Sequence, residues 1–224
     1  MSYRDGSKMT DTFPHFDRAS RGVGRLPINA SRLKPAMERA AAAAGLAVLS
    51  PFLLLVAAAI RLDSPGPVLF RQARHGRDGE IFHIYKFRTM TAAASREGFR
   101  QATRGDARVT RIGRILRTTS IDELPQLLNV ALGDMALVGP RPHPLELDRQ
   151  FQAEIADYML RYRVRPGITG LAQVSGHRGP TPTTESMARR VALDLEYIEG
   201  WSLATDFRIL IRTAIQTLAA RNGS

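Results

Sequence analysis

The stretch Ala40-Ala-Ala-Ala-Ala-Gly45-Leu-Ala-Val-Leu-Ser50-Pro51-Phe-Leu-Leu-Leu-Val-Ala-Ala-Ala-Ile60 carries no charge and has a Ser-Pro pair at its centre. At 1.5 Å rise per residue, ~20 apolar residues cover the ~30 Å of a bilayer's hydrocarbon. Proline inside a helix removes one backbone hydrogen bond and collides with the carbonyl one turn back. It also disfavours helical geometry at the residue before it. An apolar segment broken at its midpoint is expected to enter the membrane and turn back. The flanks favour this. Arg25, Arg32, Lys34 and Arg39 precede the segment, and Arg61, Arg71, Arg74 and Arg77 follow it. Positive charge near a segment end keeps that end cytoplasmic. A helix-break-helix hairpin satisfies both flanks, whereas a straight span frustrates one. The Ser50 hydroxyl can serve a carbonyl that Pro51 leaves free. The plain alternative is one spanning helix with a tolerated proline kink. A cleaved signal peptide does not fit, because the apolar run starts near residue 40 and no small-residue cleavage site follows.

Outward from this segment, 224 residues with 44% hydrophobic content suffice for one good core, hence one domain with a membrane anchor. There is no cysteine, which excludes disulfides, thiol catalysis and thiolate metal sites. A net charge of +11 suits an anionic partner: a lipid surface, a phosphorylated substrate or nucleic acid. The charge is nearly all arginine, an excess that base composition alone can produce. The lysines are Lys8, Lys34 and Lys86, so Lys86 stands out in the body of the chain.

Three regions follow: residues 1–30 as a flexible basic tail, 31–62 as the membrane hairpin, and 63–224 as a compact domain. The fold class is α+β and mainly helical. Pro67–Arg74 and Glu80–Phe87, with turn residues between them, predict a β-hairpin. Thr91–Gly105 reads as loop or short helix. Helices are expected over Arg108–Leu116, Asp122–Leu132 with Gly133 as its stop, Glu146–Arg163, Ser186–Tyr197 and Asp206–Ala220, and a short strand near Leu171–Val174. The last helix is amphipathic and basic, fit to lie on lipid or to pack on the domain. Trp201 reads either as an interfacial anchor or as a core residue.

Chemistry concentrates in Ser120-Ile-Asp122-Glu123-Leu-Pro125-Gln126. Pro125 is tolerated only in a helix's first turn, which places both acids at or beside a helix N-terminus. There the partial positive charge holds a carboxylate ionised and favours a docked phosphate. Adjacent carboxylates repel unless a cation sits between them, and oxygen ligation beside phosphate points to Mg²⁺. The structural alternative is a capping box in which Ser120 and Glu123 merely start the helix. Lys86, Arg88, Arg117, Arg141 and Arg165 lie in or beside rigid Pro/Gly loops or a strand end. Fixing a cation in advance suits phosphate binding, while each could also be a solvated surface charge.

Lys86-Phe-Arg-Thr-Met90, Asp122-Glu-Leu-Pro-Gln126, Gly139-Pro-Arg-Pro142 and Arg165-Pro-Gly-Ile-Thr-Gly170, behind the Ser50-Pro51 segment, resemble the bacterial sugar transferases. These are the monotopic phosphoglycosyl transferases, or initiating glycosyltransferases. The resemblance covers residues 33–217. It implies a re-entrant anchor in the bacterial inner membrane and a cytoplasm-facing catalytic domain. The implied reaction moves a hexose 1-phosphate from a UDP-sugar to undecaprenyl phosphate and releases UMP, as a first membrane step of exopolysaccharide synthesis. Asp122 matches the nucleophile, which forms a covalent phosphosugar intermediate, and Glu123 its partner in Mg²⁺ handling. Lys86, Arg88, Arg117, Arg141 and Arg165 match positions at the phosphate and nucleotide end.

Pro-His-Pro144, Tyr158-Met-Leu-Arg161 and Gly179–Thr184 look most like members that use UDP-glucose, with galactose-transferring members close. Relatives often read Asp-Pro-Arg-Val-Thr where this chain has Asp106-Ala107-Arg108-Val109-Thr110. They often read Val-Asn-Gly where it has Val174-Ser175-Gly176, which leaves sugar choice open there. The upstream spanning helices of long-form members are not seen, so a core-only form is expected. Homo-oligomerisation and contact with downstream glycosyltransferases stay open. A nucleic-acid-binding reading would use the same charge, but no helix-turn-helix, zinc-finger or RNA-recognition signature accompanies it.

Overall fold

The computed structural model describes residues 26–91, 105–179, 181 and 183–222. Most of the expected tail lies outside these residues, and so does most of the loop expected between Thr91 and Gly105. Residues 26–30, expected to end the tail, are folded. Helix α1 (Pro27–Ala30) is a single turn begun by proline, and Leu26 and Ile28 are buried against Val138, Val164, Tyr197 and Ile209.

Helix α2 (Leu33–Asp63) runs through Pro51 as one element of 31 residues. Two separate helices were expected. The reason is visible at the proline: Ser50 Oγ donates to the Ala47 carbonyl at 2.8 Å, the acceptor that Pro51 cannot reach. The middle of α2 faces outward, with Val48 79% and Leu54 and Leu55 each 71% exposed. Its two ends dock on the same body. Lys34 Nζ, at the start, donates to the Val138 carbonyl at 3.0 Å and to Asp206 at 2.7 Å. Beyond the last turn, Arg88 donates to the carbonyls of Ser64 at 2.6 Å and Pro65 at 2.7 Å. Ala42 packs near Val130, and Val56 and Ile60 pack near Phe87 and Leu116.

The expected hairpin is present. Strand β1 (Leu69–His75) pairs antiparallel with β2 (Ile81–Phe87), from Leu69 opposite Phe87 to His75 opposite Ile81. Side chains alternate across a strand, so Phe70, Gln72 and Arg74 share a face with Ile84 and Lys86. This face floors a cleft.

Helix α3 (Arg111–Thr119) begins three residues later than the apolar pattern suggested, because the Thr110 hydroxyl caps it by accepting from Gly113 N–H. A side chain at Gly113 would put Cβ 2.1 Å from the Thr89 carbonyl, so only glycine lets α3 lie on the end of β2. A 3₁₀ turn (Ile121–Glu123) and Pro125 then lead into α4 (Gln126–Leu132), which stops at Gly133 in the left-handed region, as expected. The capping box does not form: Ser120 makes no cap bond and instead accepts from Arg178. Asn129, fully buried on α4, accepts from Tyr85 N–H and donates to the His83 carbonyl, tying α4 to the edge of β2.

Strand β3 (Ala136–Val138) pairs parallel with β4 (Gly167–Thr169). A strand was expected near Leu171–Val174, but those residues form the helical turn α6 (Leu171–Val174). Glycine explains the shift: a Cβ on Gly167 would lie 2.1 Å from Gly139 N, so the two loops meet backbone to backbone just before α6. Helix α5 (Leu145–Glu154) ends earlier than the expected Glu146–Arg163 helix. Asp157 adopts φ 61° and redirects the chain into a 3₁₀ stretch, Tyr158–Arg163, that turns Tyr158, Arg161 and Tyr162 inward. Helices α7 (Thr184–Glu199) and α8 (Leu203–Asn222) close the body. Trp201, half-buried, donates to Asp206 and packs on the core, so the core reading holds. Phe207, Ile211 and Ile215 form an exposed apolar stripe on α8.

Candidate active site

The hairpin face, the Ile121–Glu123 turn, the Pro142–Pro144 loop and the start of α7 enclose a cleft of about 750 Å³, within the ~300–1,000 Å³ of small-molecule sites. Nine Lys/Arg and three Asp/Glu side chains line it, a balance that suits a polyanion.

Asp122 and Glu123 sit side by side on the turn in very different states. Lys86 Nζ donates to Glu123 Oε1 at 3.0 Å, and Arg141 donates to both Glu123 oxygens, to Oε2 at 2.9 Å. Burial alone would raise the Glu123 carboxyl, but Arg141 and Lys86 hold it well below the usual carboxylate range. Asp122 has no hydrogen-bond or ion-pair partner among the described residues. Burial pushes it up to about 6, opposed by Lys86 and reinforced by the neighbouring Glu123. The turn thus carries one clamped carboxylate and one open to the cleft. The open one is largely ionised at neutral pH, and its raised pKa makes it a better nucleophile than an ordinary aspartate. Burial lowers Lys86, with Glu123 opposing, while Glu123 raises Arg141.

The pair can hold a divalent cation only through Asp122 as the side chains stand. Glu123 would have to release Lys86 or Arg141 to become a ligand. No cluster of three or more His, Cys, Asp or Glu suited to a metal occurs among the described residues. A hard cation that takes most of its oxygens from water and from substrate phosphate fits such a site.

The five cations expected from sequence divide. Lys86 and Arg141 clamp Glu123, as above. Arg117 lines the cleft and donates from Nε to Thr89 Oγ1 at 2.8 Å, held there by the close approach at Gly113. Arg88 borders the cleft, but its guanidinium is spent on the carbonyls after α2. Arg165 lies elsewhere, beside Ile28, Lys34 and Glu38 under α1 and α2. Its motif loop still matters, because the Gly167 N–H donates to the Pro140 carbonyl at 2.8 Å and so fixes the loop that aims Arg141 at Glu123.

Arg74, His143 and Arg190, which sequence reasoning missed, also line the cleft. Arg74 could have been found from its register: it shares the strand face of Lys86 across the hairpin. Arg190 sits next to the exposed Arg189, and the signal that separates them is its helical spacing from Met187 and Val191 on the buried face. Behind His143 lies a fully buried polar block. Asp148 accepts from the Tyr158 and Tyr162 hydroxyls at 2.8 and 2.7 Å and shares a 2.6 Å bond with His75 Nδ1. Arg161 pairs with Asp194 at 2.6 Å and donates to the Arg141 carbonyl at 2.7 Å.

A sequence model of the family described as bacterial sugar transferase matches residues 29–220. A UDP-glucose:undecaprenyl-phosphate glucose-1-phosphate transferase of Caulobacter vibrioides is 53% identical over 84% of this chain and 71% of its own. The Escherichia coli protein of that description is 46% identical over 91% of this chain and 42% of its own. A UDP-N-acetylgalactosamine-undecaprenyl-phosphate N-acetylgalactosaminephosphotransferase of Aeromonas hydrophila is 42% identical over 86% of this chain and 45% of its own. The chain thus spans less than half the length of two of these relatives.

Proposed function

Because this chain belongs to the bacterial sugar transferase family, we propose that it moves glucose 1-phosphate from UDP-glucose to undecaprenyl phosphate and releases UMP. The observation that carries the proposal is the contrast at the turn: an unpartnered Asp122 carboxylate beside a Glu123 clamped by Lys86 and Arg141. In the first step an Asp122 oxygen attacks the sugar-bearing phosphorus. The bond from that phosphorus to the UMP oxygen breaks, and UMP leaves with the electron pair. In the second step an oxygen of undecaprenyl phosphate attacks the same phosphorus, and the bond to Asp122 breaks. A carboxylate approaching a diphosphate meets strong repulsion. Lys86, Arg117 and Arg141 offset it, and Lys86 and Arg141 stabilise charge on the departing phosphate. Glu123 sets Lys86 and Arg141 in place before substrate arrives. Mg²⁺, held by Asp122 and substrate oxygens, would supply further neutralisation of the diphosphate.

We assign α2 as a re-entrant anchor with both ends cytoplasmic. Support comes from the docking of Lys34 and of the residues after α2 on one body, with the apolar middle left outside. A bilayer crossed between those ends would separate surfaces that touch. The exposed Phe207, Ile211 and Ile215 stripe on α8 suits the same lipid surface. Thr10→Cys tests the topology. It should resist a membrane-impermeant thiol reagent supplied from the periplasm, and labelling would defeat the re-entrant assignment.

The reaction is tested by UMP release from purified protein given Mg²⁺, undecaprenyl phosphate and UDP-glucose, UDP-galactose or two UDP-N-acetylhexosamines in separate assays. Release with UDP-glucose, lost in Asp122→Asn, is the expected result. Preference for an N-acetylhexosamine would ally the chain with the Aeromonas relative instead. Undiminished release by Asp122→Asn would remove Asp122 as nucleophile.

A further inference from the structure

Arg74 and Arg190 take no part in holding Glu123, yet both are buried in the cleft wall, at 8% and 6% exposure. Neither has an ion-pair partner among the described residues. Arg74 donates to the Pro142 carbonyl at 3.3 Å and to Gln72 Oε1 at 2.6 Å. Arg190 donates to the Gly179 carbonyl at 2.6 Å and lies 3.4 Å from His143 Nε2. The Nε of each has no acceptor. Other carboxylates nearby are engaged or distant: Asp194 is bonded by Arg161, Asp148 by two tyrosines and His75, and Glu146 is exposed at the rim.

A buried charge without a partner is costly, and both guanidiniums also stand near the cationic Arg141 and beside His143. Burial and the nearby Arg141 bring Arg74 down to about 10, and burial, Arg161 and Arg141 do the same to Arg190. Both stay charged at neutral pH. Two guanidiniums without carboxylates, in one cleft wall, match the forked recognition of a phosphate.

Their place in the cleft identifies which phosphate. On β1, Arg74 lies opposite Phe82, five residues along the hairpin from the Leu69–Phe87 pair. That is ~17 Å of strand. Arg88, next after Phe87, grips the exit of α2, and Arg117 bonds Thr89 beside it. The Arg88–Arg117 end therefore adjoins the anchor, where a lipid phosphate arrives. Arg74 lies toward the opposite end of the hairpin, and Arg141 stands near Asp122, Arg74 and Arg190 alike. Resting on the two-step reading above, we propose that Arg74 and Arg190 form a bay for the phosphate of the departing nucleoside monophosphate. The soluble donor and the lipid acceptor thus reach Asp122 from opposite ends of one cleft.

The test is calorimetric titration of UMP into the full chain in lipid nanodiscs, with EDTA present, and of undecaprenyl phosphate into a parallel sample. Arg74→Gln and Arg190→Gln should each weaken UMP about 10- to 100-fold, the scale of charge-assisted bonds. Undecaprenyl phosphate binding should move less than about threefold. Arg117→Gln should show the reverse pattern. Melting temperatures confirm that each variant is folded. If a glutamine variant does not fold, Arg190→Lys carries the test, because it keeps the charge and loses the fork, and about tenfold weaker UMP is expected. Unchanged UMP affinity in both arginine variants, or no UMP binding by the unaltered chain, overturns the bay. Weakened undecaprenyl phosphate with unchanged UMP also overturns it and assigns the pair to the lipid. No titration requires turnover, so UMP binding through this pair in a protein that transfers nothing would sink the reaction and leave the bay standing.

Discussion

Two polar regions lie back to back across the Pro142–Pro144 loop, and charge is handled differently in each. In the block behind the loop, every formal charge has a counterpart: Asp148 accepts two tyrosine hydroxyls and meets His75, and Arg161 is paired with Asp194. In the cleft, Asp122, Arg74 and Arg190 have no ionic partner among the described residues, and Glu123 is the one acid tightly clamped. A satisfied buried network fixes positions. Unsatisfied charge in a cavity is retained at a cost that a ligand can offset. On the proposed reading, the contrast separates the residues that hold the site from those that meet substrate.

Substitutions on the two sides should therefore fail in different ways. Asp122→Asn should lower transfer at least about ten-thousandfold, more than ~5 kcal/mol of barrier. It should not lower the melting temperature. The Asp122 carboxyl is raised to about 6 in the fold, so the stability linked to its proton is full below about pH 4. That stability is lost as pH rises through about 6, and at pH 8 the amide should melt at or above the unaltered protein. A large melting loss at pH 8 would put Asp122 among the scaffold residues.

Arg161→Met should do the opposite. It strands a buried Asp194 and should cost about 3–5 kcal/mol in denaturant unfolding. Loss of activity in a variant of unaltered stability would break the comparison. Tyr158→Phe removes one of the bonds to Asp148 and should cost about 1–2 kcal/mol, again with transfer by the folded fraction largely kept.

Two smaller effects sharpen it. Transfer should decline on the acid side with a midpoint near pH 6, as Asp122 takes up its proton, and Lys86→Met should move that limb upward because Lys86 favours the ionised form. A limb that stays in place would detach it from Asp122. Arg165→Ala, in a motif but outside the cleft, should leave transfer within about twofold.

Much of this was legible in the sequence where local pattern and chemistry coincide. The hairpin showed in two β-rich runs around turn residues, and Pro125 marked the start of α4, with Asp122 and Glu123 on the 3₁₀ turn just before it. Lys86, Arg117 and Arg141 were found because rigid neighbours announced them. The same cue pointed to Arg88, which borders the cleft with its guanidinium turned to backbone carbonyls, and to Arg165, which lies outside it. Their loops are rigid because backbones meet at Gly139 and Gly167 and because the exit of α2 needs capping, not because each cation faces phosphate. Arg190 was passed over, although helical spacing puts it on the stripe of Met187, Val191 and Ile198 while Arg189 falls off that face. The end of α5 was missed for a backbone reason: Asp157 takes a left-handed conformation that no local composition signalled. At Pro51 the sequence identified the weak hydrogen bond and its remedy, which Ser50 supplies to Ala47.

The bond from Lys34 to Asp206 closes a loop of 172 residues. Ribosomes add ~5–20 residues per second, so the second partner is made some ~10–35 s after the first. Within that interval α2 is completed, and it is sufficiently apolar to enter lipid. On the proposed reading, the anchor is available to lipid before the body that will rest against it is complete. A helix made late thus fastens one made early, and a chain halted before residue 206 would lack that latch.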